Sequence, residues 1–91
     1  RLQDLREEWR RRLSQTRTSA LTLRLVDALF TNPVLTIPQA QRLLNVRYTT
    51  AQHTVERLVQ EGILQPVAEV SYGKTYWAPR IVEATEEPVL V

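Results

Sequence analysis

TIPQAQRLLNVRYTTAQHTVERLVQEGIL, Thr36 to Leu64, decides the fold. It reads as a helix, a tight turn, a second helix and a strand that opens just after a glycine. Thr36-x-x-Gln39 is a capping-box pattern, in which the threonine oxygen meets an early helical N–H and the glutamine reaches back. Pro38 sits in the first turn, where a missing N–H is tolerated. Ala40, Leu43 and Leu44 then fall on one face, with Gln41 and Arg42 outside it. Asn45 suits a left-handed turn, and Val46 plugs the corner. Thr49-x-x-Gln52 offers a cap for the next helix, whose inner positions are Ala51, Val55, Leu58 and Val59 and whose stop is Gly62. Helix, turn and helix in this order form a helix-turn-helix, the second helix being the one offered to a partner.

Upstream, Leu2, Leu5, Trp9 and Leu13 recur at spacings of three, four and four, an apolar stripe along one helix. Such a stripe packs on its own domain, on a second copy of the chain, or on a neighbouring domain. Ser14 to Ser19 is a polar break, with Thr18 or Ser19 as N-cap of the next helix. That helix runs to about Phe30, carries Leu21, Leu25, Ala28 and Leu29 on one face, and is expected at the centre of the core. Asn32-Pro33 ends it, because the residue before proline avoids helical geometry. Val34-Leu35 is read as a connection that can pair with a wing.

Downstream, Ile63 to Val67 reads as a strand that Pro66 confines to an edge. Val70 to Lys74 reads as a loop turning at Gly73, and Thr75 to Ala78 as the β-prone return strand. Two strands behind a helix-turn-helix make a wing. Arg80 to Thr85 is read as one further helical turn and Glu86 to Val91 as a loosely held tail. The expected fold is thus mainly α with a small antiparallel β wing, a winged helix-turn-helix preceded by a long N-terminal helix. Residues 1–15 form the connecting helix, 16–80 the winged domain and 81–91 the tail.

Ninety-one residues make one small domain, and 43% hydrophobic content suffices for a core. There is no cysteine, hence neither a disulfide framework nor a thiolate metal site, which fits a reducing compartment. No apolar run approaches ~18 residues, so no membrane span is expected. There is no methionine, not even at position 1, and the chain opens in mid-helix, so it reads as a piece of a longer protein. The net charge of +2 is unevenly spread. Residues 1–24 hold seven arginines against Asp4, Glu7 and Glu8, whereas residues 25–62 balance Arg42, Arg47 and Arg57 against Asp27, Glu56 and Glu61. The basic character lies in the N-terminal segment, and the reading head is neutral.

Catalysis has little to stand on. His53 is the one histidine, the serines lie in breaks or loops, and the two glycines, Gly62 and Gly73, have turn duties. No metal site and no cofactor are expected. Binding candidates are the outward positions of the second helix and its approach: Arg47, Tyr48, Thr49, Thr50, Gln52, His53 and Arg57, with Glu56 among them. Arginine pairs bidentately with guanine and glutamine with adenine, and threonine meets a thymine methyl or a phosphate. Tyr48 and the early N–H groups suit phosphate oxygens. Tyr72 and Lys74 belong to the wing tip. Glu56 repels phosphate. The same face suits either double-stranded DNA or a protein partner.

LFTNPVLTIPQAQRLLNVRYTTAQHTVERLVQEGILQPV, followed by GKTYWA, resembles the C-terminal winged-helix domain that follows the catalytic domain in many bacterial Fic-family proteins. The shared features are Leu29-Phe30, Asn32-Pro33, the Thr36 start, the Leu-Leu-Asn-Val turn, Thr50-Ala51, and Leu58 through Gly62-Ile63-Leu64. LQDLREEWRRRL resembles the helix connecting the two domains, so the resemblance covers roughly residues 2–80. It implies a parent protein that transfers a nucleotide monophosphate, usually AMP, to a protein hydroxyl. The family's histidine-proline-phenylalanine motif and glycine-asparagine-glycine loop are absent here, so no catalytic residue carries over. What the resemblance implies for this stretch is a DNA-binding or regulatory module attached to an upstream catalytic domain in a bacterial cytoplasm; a second copy of the chain, docked by the same face or by the Leu2/Trp9 stripe, is a further partner.

Overall fold

The computed structural model describes residues 2–15, 19–67 and 75–86. In chain order the elements are α1 (Leu2–Ser14), α2 (Ala20–Leu29), β1 (Val34–Thr36), α3 (Ile37–Leu44), α4 (Tyr48–Gln60), β2 (Gln65–Pro66), β3 (Thr75–Trp77) and α5 (Pro79–Glu86). This is a mainly helical winged-helix fold with a small antiparallel sheet.

Local chemistry sets the helix ends. Ser19 is the N-cap of α2, its Oγ accepting from the Thr22 N–H at 3.3 Å. Both halves of the capping box at α3 are present: Gln39 N–H donates to Thr36 Oγ1 at 3.3 Å, and Thr36 N–H donates to Gln39 Oε1 at 2.8 Å. Asn45 stands in the left-handed region at φ 56°, and the Val46 N–H returns to the Gln41 carbonyl at 3.3 Å. At the end of α4, Gly62 has φ 78°, with Gly62 N–H on the Val59 carbonyl (3.0 Å) and Ile63 N–H on the Leu58 carbonyl (2.9 Å). That is a Schellman closure, and Ile63 and Leu58 supply its buried apolar contact.

Two local expectations need correction. Thr49 does not cap α4. The helix begins at Tyr48 behind an extended Arg47, which makes no side-chain cap bond. Asn45 reverses the chain in a single residue, so the backbone is ready to coil earlier and Thr49 falls inside the first turn. Leu43 is not on the inner face of α3 but 45% exposed. Ile37, Ala40 and Leu44 fill that face, and the short helix has no room for a fourth.

The sheet has three strands in the order β1-β3-β2, both pairings antiparallel. Val34 faces Trp77 and Thr36 faces Thr75, while Gln65 faces Trp77 on the other side. Val34–Thr36 thus joins the two wing strands, and Pro66 lies on the edge strand, where a missing N–H interrupts no second ladder. Pro33 and Leu35 alternate toward β3, the Pro33 carbonyl accepting from Ala78 N–H at 2.8 Å. The outward amides of β1 are covered by the chain's own side chains, Val34 N–H by Asn32 Oδ1 (3.3 Å) and Thr36 N–H by Gln39 Oε1. A bare edge would invite pairing with another strand.

One hydrophobic cluster runs through the whole fold, from Leu5, Trp9 and Leu13 through Leu25, Val26 and Leu29 to Ile63, Leu64 and Ile81. It crosses positions 15/16 and 80/81, so the connecting helix, the winged domain and the start of the tail share a single core. The Leu2, Leu5, Trp9 and Leu13 stripe is thus turned into the chain's own core. Trp9 is 2% exposed, with its ring 5.6 Å from that of Phe30 and tilted by 57°, and Leu2 is half-buried against the cluster. Asp27 holds α1 on α2 by accepting from Arg6 Nε (3.1 Å) and Arg10 Nη1 (2.6 Å). Arg12 Nη2 donates to the Glu61 carbonyl at 2.9 Å, joining α1 to the end of α4. The tail residues 87–91 lie outside the described residues.

Candidate nucleic-acid interface

Helix α4 is fixed from behind. Ala51, Thr54, Val55 and Leu58 are buried, and Val59 packs beside them. Thr54 was not expected inside. Its hydroxyl donates to the Thr50 carbonyl at 2.8 Å, which satisfies it within the helix and leaves its methyl for packing. A β-branched residue next to Val55 was the signal that sequence carried for this.

The opposite side of α4 has no packing partner among the described residues. Thr49, His53 and Glu56 are exposed and Gln52 is half-buried, forming a ridge with Gln60 beyond. Arg47 and Tyr48 stand exposed at the entrance to the helix, Tyr48 at 48%. Thr50 and Arg57 lie lower, half-buried on the flank that faces α2. There they border an open groove of about 370 Å³ together with His53 and with Ser19 and Thr22 of α2. On the other flank Glu56 and Gln60 border a second groove of about 320 Å³ against Pro66 and Tyr76 of the sheet. The structure thus gathers Arg47, Tyr48, Thr49, Thr50, Gln52, His53 and Arg57 on one helix and its entrance. Tyr72 and Lys74, assigned to the wing tip, lie outside the described residues.

The charge on this surface is balanced. Arg57 Nε lies 3.2 Å from Glu61 Oε2, and Glu56 stands on the ridge. Three arginines of α1 are engaged in structural contacts at the surface, Arg6 and Arg10 with Asp27 and Arg12 with the Glu61 carbonyl. Two further cations flank the turn. Arg42 is exposed on the last turn of α3, and Arg24 Nη2 reaches the Leu43 carbonyl at 3.4 Å. Arg42 was legible as an outward position; Arg24 was not, because only the packing of α2 on α3 brings it there. A ridge of hydroxyl, amide and imidazole groups with flanking guanidinium groups can donate to and accept from base edges and phosphates. Among the described residues, no three histidine or acidic side chains gather to hold a metal ion. No helix among them is long and apolar enough to cross a membrane.

No protein-family model matches the chain, and no curated protein matches it. Among solved structures the chain is similar to a MarR family transcriptional regulator from Silicibacter pomeroyi DSS, with a TM-score of 0.63 and 23% sequence identity. The match covers 91% of this chain and 56% of that one, so the chain corresponds to about half the length of that regulator. At this identity the likeness carries the winged-helix fold.

Proposed function

We propose that this chain is a non-catalytic, DNA-binding regulatory module that lays α4 in a major groove. The observation that carries the reading is the unpartnered ridge of Thr49, Gln52, His53 and Glu56 on a helix whose opposite face is locked into the core. Gln52 is suited to adenine, Arg47 and Tyr48 to the phosphates at the entrance, and Lys74 to the backbone from the wing. The similarity to a transcriptional regulator supports this use of the fold. The Fic-type parent with an upstream AMP-transferring domain, and with it a cytoplasmic setting, rests on the sequence resemblance alone. A second reading is favoured by the balanced charge of α4: the same face docks a protein, such as that upstream domain or a second copy of the chain.

Fluorescence anisotropy of a labelled duplex, titrated across salt, tests the leading reading. The wild-type chain binds with a linear log–log salt dependence. Arg47→Ala/Lys74→Ala binds more weakly, with a slope shallower by about 1.8, two phosphate contacts at about 0.9 each. Wild-type binding no tighter than ~10⁻⁴ M, the weak limit of ordinary non-specific association, overturns the reading in favour of a protein partner.

A further inference from the structure

We propose that Thr50, His53 and Arg57 form a seat for one DNA backbone phosphate on the α2-facing flank of α4, and that Arg57 exchanges Glu61 for that phosphate on binding. The proposal rests on the DNA-binding reading and adds a division of labour within the helix.

Thr50, His53 and Arg57 are spaced by three and four residues, so they form one stripe along α4. His53 stands where the ridge meets this flank and Thr50 and Arg57 lie to the side of it, all three lining the groove that opens toward the start of α2. Other hydroxyls at that groove are committed locally. Ser19 Oγ caps α2 and lies 3.2 Å from Thr22 Oγ1, while Thr54 Oγ1 donates to the Thr50 carbonyl. A helix lying in a major groove points its ridge at base edges and its flanks at the two sugar–phosphate strands. Arg57 is the one cation within α4, and it lies on a flank, half-buried. From there it meets a strand and not a base. The role first suggested by residue type, a bidentate grip on guanine, belongs to a position on the ridge, which Arg57 does not occupy.

In the free protein Arg57 is engaged by Glu61, Nε to Oε2 at 3.2 Å, and three features make that engagement exchangeable. The base precedes the acid by four residues, the weaker order for such a pair on a helix. Glu61 is the C-cap of α4, where the helix dipole disfavours an acid. Arg12 already sits on the Glu61 carbonyl at 2.9 Å, so a cation stays beside Glu61 when Arg57 turns away. A phosphate offers Arg57 charge-assisted bonds stronger than the partly exposed pair it leaves. Glu61 is thus a brake on affinity.

The experiment uses the full chain with a labelled duplex across salt, comparing wild type, Arg57→Ala, Arg57→Lys, Glu61→Gln and the Arg57→Ala/Glu61→Gln double variant, each checked by thermal melting. Arg57→Ala weakens binding by a similar factor on duplexes of different sequence and shallows the salt slope by about 0.9, whereas Arg57→Lys keeps the slope. Glu61→Gln tightens binding about two- to fivefold, the scale of a surface ion pair, and this gain disappears in the Arg57→Ala background. Wild-type binding with an unchanged slope in folded Arg57→Ala overturns the phosphate seat. A Glu61→Gln gain that persists in full without Arg57 reduces Glu61 to general repulsion and overturns the exchange. If wild type shows no salt-dependent binding, the DNA reading itself falls and takes this proposal with it.

Discussion

Replacing Trp9 by alanine tests whether the first helix belongs to the fold or is an arm carried by it. Trp9 is 2% exposed, packs its ring 5.6 Å from Phe30, and shares a cluster with residues from every helix. Truncating a buried tryptophan removes its transfer energy and leaves a cavity, together about 3–5 kcal/mol. A chain of this size has roughly 5–14 kcal/mol of stability in total. The loss therefore takes a large share of it, and at ~4–8 °C per kcal/mol it lowers the melting temperature by well over 10 °C. The assay is helped by the composition: the chain has two tryptophans, and the variant leaves Trp77 on β3 as the sole indole reporter, remote in sequence from the change. Urea unfolding followed by Trp77 fluorescence and by far-ultraviolet circular dichroism should shift together to a lower midpoint, as one cooperative unit. Trp9→Phe, which keeps most of the apolar volume, should shift it less. A Trp77 transition that stays at the wild-type midpoint would refute the argument, since the helix would then be a detachable arm. A midpoint that rises with protein concentration would point instead to a stripe buried between copies.

Two further outcomes follow from backbone chemistry. Gly62→Ala should destabilise the domain by ~1 kcal/mol, because φ of 78° is strained for a side chain although nothing stands within 4 Å of the added Cβ. Gly62→Asn, which tolerates that region better, should lose less in the same melting experiment, and equal losses would mean that space and not φ governs the site. Gln39→Ala removes one bond that serves both the α3 cap and the outer edge of β1, at a loss of about 0.5–1.5 kcal/mol. In amide hydrogen exchange the Thr36 N–H should speed up while Leu35, which is turned toward β3, stays protected. An unchanged Thr36 rate would show that Gln39 does not cover the edge.

Sequence alone determined the parts of this protein that are set within a few residues of chain. The Thr36–Gln39 box, the left-handed Asn45, the stop at Gly62 and the edge position of Pro66 follow from reach, φ preference and a missing donor, none of which needs a distant partner. The apolar spacing of Ala51, Val55 and Leu58 equally determined which side of the second helix faces inward, and so which side remains to be read. What only the tertiary structure decided were matters of company. Periodicity showed that Leu5, Trp9 and Leu13 needed covering but not that α2 and α5 cover them, because a stripe has the same pattern whether its partner is the same chain or another. Charge counting put the basic character in the N-terminal segment, and only folding brought Asp27 and the Glu61 carbonyl to Arg6, Arg10 and Arg12. Residue type put Arg57 among base readers, and only the packing of α2 against α4 showed that it lines a flank groove. Local geometry is written in short-range sterics, whereas the partner of a face or a charge depends on which distant segments the core draws together.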